Sequence, residues 1–132
     1  MHLKSMRHPD LYHDRLSKNY FEGWYFKLVD REMKHSFAFI PGVFYSSASE
    51  HDHAFIQVVN GTNKRYYYEH FPTKIFSASN NVFHLDIAGN SFGHSGITFN
   101  LISDDISIQS DLRFYNHLYW PDNFLNPGSM GF

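Results

Sequence analysis

From Tyr20 onward the chain is a succession of short apolar runs, each closed within about ten residues by a cluster of Gly, Asn, Asp or Ser. No apolar stripe at helical spacing is sustained anywhere. The rhythm therefore predicts strands at 20–29, 35–45, 53–60, 64–71, 74–79, 82–88, 97–103 and 106–115. The turns between them are "DREMK", "SSASEHD", "NGTNK", "SASNN", "AGNSFGHSG" and "SDD". Short strands at this spacing are the mark of an antiparallel sandwich or barrel. Within "VVNGTNKRYYY", Asn60-Gly61 is expected to form a tight hairpin turn, because both residues tolerate positive φ. "NVFHLDIA" and "ITFNLIS" alternate cleanly, with Phe83, Leu85 and Ile87 on one face, and Ile97, Phe99 and Leu101 likewise.

The residues between the turns suit this reading. Aromatics make up 19% of the chain, as 14 Phe, 9 Tyr and 2 Trp, and rings favour half-buried pleated surfaces. At 132 residues the length suits one domain with a core of its own. Residues 1–19 are polar and read as an irregular N-terminal arm, with one helical turn around Asp10–Leu16, while residues 20–132 read as a single antiparallel β domain. The last stretch, "YWPDNFLNPGSMGF", reads as a loop that stops abruptly.

Several function classes drop out on composition. With no cysteine there is no disulfide, zinc–thiolate site or thiol nucleophile. A net charge of −2 without clustered Lys and Arg argues against nucleic acid as a partner. No apolar run reaches the ~20 residues of a membrane span, and the N-terminus lacks the apolar core of a signal peptide. The expected location is the cytoplasm.

"KNYFEGWYFKL", Lys18 to Leu28, holds the most pointed chemistry. Five rings fall within seven residues, and a carboxylate, Glu22, stands among them. On a strand, Tyr20, Glu22, Trp24, Phe26 and Leu28 share one face, and Phe21, Gly23, Tyr25, Lys27 and Val29 the other. The first face is the more apolar and is expected to point inward, carrying Glu22 with it. A carboxyl in an apolar site resists ionisation and can act as a general acid. The plainer reading is an ion pair with Lys18, Lys27 or an arginine.

These blocks resemble a known family. "YFEGWYFKL", "HSFAFIPGVF", "HAFIQVVNG", "GNSFGHSGITFNL" and "WPDNFLNPGSMGF" are together similar to the tocopherol cyclase family, over a span from about Asn19 to the C-terminus. The first and last blocks are the specific ones. Family members are longer, so the resemblance is to their N-terminal half. It implies a lipocalin-like fold, here an antiparallel β-barrel or strongly curved sheet. It also implies proton-initiated ring closure on a prenylated or terpenoid-like substrate, an isomerase reaction of the intramolecular lyase class. Such a reaction exchanges no electrons, so no cofactor is expected. Glu22 would deliver the proton, and Tyr20, Trp24 and Phe26 would line the cavity and stabilise a developing carbocation.

Other residues have lesser claims. Gln57 shares a strand face with His53 and Phe55 and could hydrogen-bond a ligand hydroxyl. Tyr67, in the run Tyr66–Tyr68, could line a pocket mouth that orients a phenolic headgroup. His51 and His53 form a His-x-His pair without a predictable third ligand, so no metal is assigned. "GNSFGHSG" lacks the lysine and helix of a phosphate loop, and no Gly-x-Ser-x-Gly elbow occurs. Two rival readings stay open. One is a non-catalytic carrier of a hydrophobic small molecule; the other is a half-protein that self-associates, as a homodimer, through exposed sheet edges.

Overall fold

The structure, a computed structural model, describes residues 10–14 and 19–119. Among these residues ten strands form two antiparallel sheets of five. The first holds β1 (Tyr20–Gly23), β2 (Phe26–Val29), β3 (Ser36–Tyr45), β4 (His53–Asn60) and β5 (Arg65–Phe71), in the order β1-β3-β4-β5 with β2 beside β1 along β3. The second holds β6 (Phe76–Ala78), β7 (His84–Ile87), β8 (Asn90–Gly93), β9 (Gly96–Ile102) and β10 (Ser107–Arg113), in the order β10-β9-β8-β7-β6. A 3-10 turn, Thr73–Ile75, joins them. The expected all-β antiparallel class is what forms. Among the described residues the strands make two sheets and do not close into one barrel. The "WPDNFLNPGSMGF" block and most of the N-terminal arm lie outside the described residues; the described part of the arm, 10–14, is irregular.

The predicted strand 20–29 forms in two pieces that keep one register against β3: Tyr20 opposes Tyr45, and Phe26 opposes Phe39. The gap falls opposite Pro41. Trp24 donates its N–H to the Pro41 carbonyl at 3.0 Å, and Pro41 has no N–H to return the bond. Side-chain alternation runs straight through the gap, so Tyr20, Glu22, Trp24, Phe26 and Leu28 all face inward.

One core lies between the sheets. The first contributes Trp24, Phe39, Val43, Ala54, Ile56 and Val58, and the second Phe83, Leu85, Ile87, Phe92, Ile97, Phe99 and Leu101. Phe39 and Phe99 meet across it with ring centroids 4.3 Å apart.

Two local expectations are corrected. The Asn60-Gly61 hairpin exists, but its loop has four residues, and Lys64, not Gly61, takes the positive φ, at 58°. Asn60 instead turns the chain with its side chain, accepting the N–H groups of Thr62 and Asn63. A Cβ at Gly61 would press on the Ser36 hydroxyl, which would have to rotate away. The two-residue turn with both φ positive is Ala88-Gly89, at 52° and 79°. It starts β8, a strand inside the segment expected to be all turn. Asn90 there is 1% exposed. Its amide donates to the Ile87 carbonyl at 3.0 Å and accepts the Asn100 N–H at 2.8 Å, so a polar residue bridges three strands of the core.

Candidate functional site

The polar cluster that faces the core is built around Glu22, on edge strand β1. Its carboxylate meets three donors: the Tyr20 hydroxyl, which reaches Oε2, the His13 backbone N–H at 3.1 Å from Oε2, and His13 Nδ1 at 2.6 Å from Oε1. Against a carboxylate the imidazole must be the donor, which fixes the proton on Nδ1. Glu22 and His13 are only 12% and 17% exposed. The other imidazole nitrogen, His13 Nε2, is buried and has no hydrogen-bond partner among the described residues.

Residues 10–14 form a strap that holds His13 there. Trp24 Nε1 donates to the Asp10 carbonyl at 2.8 Å, and His94 Nε2 lies 3.0 Å from the Asp10 carboxylate. The Tyr12 ring packs on Trp24 from the first sheet and edge-on to Phe76 from the second, with centroids 6.3 and 5.2 Å away. The strap thus ties β1 to the second sheet. Tyr45, the cross-strand partner of Tyr20, stacks on its ring and hydrogen-bonds Tyr12. Burial, and then its bond to Tyr45, push the Tyr12 hydroxyl well above the ordinary tyrosine range. Burial, and then its bond to Glu22, do the same for Tyr20. Three phenols held neutral or stacked around a carboxylate–imidazole pair make a site that can hold and pass a proton beside aromatic faces.

The expected site residues divide. Glu22 and Tyr20 are in direct contact, and Trp24 anchors the same strap. Phe26 faces inward too, but its ring is engaged by Phe83, Phe92 and Phe114, as part of the packed core. Tyr67 also points to the core side of β5. Gln57 does not join them. Ile56 and Val58 take the inward positions of β4, so Gln57 lies on the outer face of the first sheet, with His53 and Phe55 as parity predicts. His53 is occupied there, with Nδ1 2.7 Å from the His51 carbonyl and Nε2 2.8 Å from the Tyr68 hydroxyl. Among the described residues, no three His, Cys, Asp or Glu side chains gather to hold a metal ion, and no helix is long and apolar enough to cross a membrane. Of the ion-pair partners considered for Glu22, Lys27 is on the opposite face and Lys18 lies outside the described residues.

His13, Tyr12 and Tyr45 were not legible as site residues in the sequence. The pair Tyr12-His13 sits in an arm with no periodicity, and Tyr45 joins only through the register of β1 on β3. No protein-family model, curated protein or solved structure matches this chain.

Proposed function

We propose that this chain carries the proton-handling end of an enzyme that closes a ring on a prenylated, phenol-bearing hydrophobic substrate, in the manner that its likeness to the tocopherol cyclase family implies. The observation that carries the reading is the His13–Glu22 pair, whose Nδ1 is fixed on a half-buried carboxylate and whose Nε2 is buried and free of any described partner. Ring closure moves one proton. The substrate hydroxyl loses it, its oxygen bonds to the more substituted alkene carbon, and the other alkene carbon gains a proton. A group that both accepts and releases a proton serves both halves. In this proposal His13 Nε2 is the exchanging atom, Glu22 orients and charges the imidazole, and Tyr20 supplies a second path to the carboxylate. The rings of Tyr12, Tyr20, Tyr45 and Trp24 stabilise the passing carbocation. Opening of the two sheets toward a lipocalin-like, ligand-enclosing arrangement belongs to the proposal as well.

The test is a turnover assay with a prenylated hydroquinone, following the chromanol product. Glu22→Gln and His13→Gln should each lower turnover by about 10²- to 10⁴-fold while ligand binding, read by tryptophan fluorescence, persists. Saturable binding by the unmodified chain without product would favour the carrier reading. Product formed equally well by both variants would refute the assignment of the site.

A further inference from the structure

The two sheets differ sharply on their outer faces. The second presents His84, Asp86, Thr98, Gln109, Asp111 and Arg113 to solvent. The first presents rings and aliphatic groups. Phe21 on β1, Tyr25 in the gap after it and Val29 on β2 are 62%, 65% and 47% exposed, and Tyr66 is 59% exposed on β5. Between them lie Ile40 and Val59, and Phe55 is fully buried although it points outward. Phe55 is covered by Phe21, stacked at 5.7 Å and 6°, and by Tyr68 at 5.2 Å. Its ring lies over Gly42, where a Cβ would collide with it. Lys27 is the only Lys, Arg, Asp or Glu among the outward positions of β1 to β5. His53 and His70 are the other titratable side chains besides the tyrosines.

We infer that this face binds a second copy of the same chain, sheet face to sheet face. Charge favours that occupant. The face has one cation and no carboxylate, so a strongly acidic or basic partner would find almost nothing to pair with, and burial would strand its charges. A two-fold axis along the strands sets β1 and β2 of one copy over β5 of the other. Lys27 belongs to the cross-strand row Lys27, Ala38, Val59, Tyr66, and Tyr25 to the row of Ile40, Gln57 and Tyr68. This axis therefore lays Lys27 on the partner's Tyr66, a cation against a ring, and keeps the two lysines apart. An axis across the strands would lay β1 and β2 over β1 and β2 of the other copy and leave Lys27 without the partner's Tyr66, and is disfavoured.

The area is sufficient. Four strands about 4.8 Å apart, each about 30 Å long, give on the order of 600 Å² per copy and about 1,200 Å² per pair. That reaches the lower bound for a specific interface. Sheets packed this way lie about 10 Å apart with their side chains interdigitated. The edges of the sheets need take no part.

Sedimentation equilibrium on the full chain tests this. The chain should sediment at twice its 15.6 kDa mass at micromolar concentration. Tyr25→Lys with Tyr66→Lys, both at exposed positions, should weaken the dimer at least 100-fold without loss of β-sheet circular dichroism. Ile102→Lys, an equally exposed apolar site at 64% on the other sheet, should leave the dimer unchanged. A monomer at 100-fold higher concentration, or a dimer indifferent to the double lysine variant and hence joined elsewhere, would overturn the inference.

Discussion

His13 Nδ1 lies 2.6 Å from Glu22 Oε1, a contact between an irregular strap and an edge strand nine residues apart. With the His13 N–H on the same carboxylate and the Trp24 indole on the Asp10 carbonyl, it ties residues 10–14 to the first sheet.

Glu22→Gln should destabilise the fold by about 1–3 kcal/mol, because one oxygen and an amide NH₂ cannot accept from three buried donors. The urea midpoint should fall with little change in slope, and the chain should stay folded, since domains hold about 5–15 kcal/mol. A midpoint unchanged by the substitution would mean that the donors are satisfied by solvent.

Alkaline pH should loosen the same end of the molecule. Tyr12 and Tyr20 hold their protons more tightly when folded than when unfolded, burial being the larger cause for both. The stabilisation is fully present below the ordinary tyrosine value near pH 10 and is lost as the pH climbs above it. Titration by absorbance near 295 nm should show these two phenols ionising last, together with unfolding. Simple titration of all tyrosines near pH 10 with the fold intact would contradict the site's geometry.

Two glycines should respond differently to alanine. At Gly96 a Cβ would collide with the Leu112 backbone carbonyl, so β9 or β10 must shift. The cost should exceed about 2 kcal/mol. At Gly89, with φ 79°, nothing lies within 4 Å of the added Cβ, and only backbone strain of about 1–2 kcal/mol applies. Thermal unfolding of both variants side by side checks the order; equal shifts would refute it.

Asn90→Ala should cost about 1–3 kcal/mol, since it strands the Asn100 N–H and the Ile87 carbonyl in the core. Amide exchange at Asn100 should speed up well before global unfolding does.

Asn90 also shows where sequence reasoning ran out. Alternation and turn residues located nearly every strand and placed Glu22 on the inward face of the first. They missed β8, because "NSFG" has a single apolar residue, and its inward asparagine is paid for by hydrogen bonds that no local pattern announces. Gly61 misled in the opposite way, since it takes no positive φ and its N–H bonds the Ser36 carbonyl of another strand. The site was half legible for the same reason. Tyr20, Glu22 and Trp24 belong to one strand and follow from parity. His13 and Tyr45 reach them through tertiary contacts.

Deuterium labelling tests the central claim most directly. The chain and a prenylated hydroquinone, incubated in D₂O, should give ring-closed product carrying one deuterium at the former alkene carbon, and Glu22→Gln should suppress that product at least 100-fold with the fold retained. Ring closure without deuterium, or labelled product at the same rate from the variant, would contradict a proton delivered through His13 and Glu22.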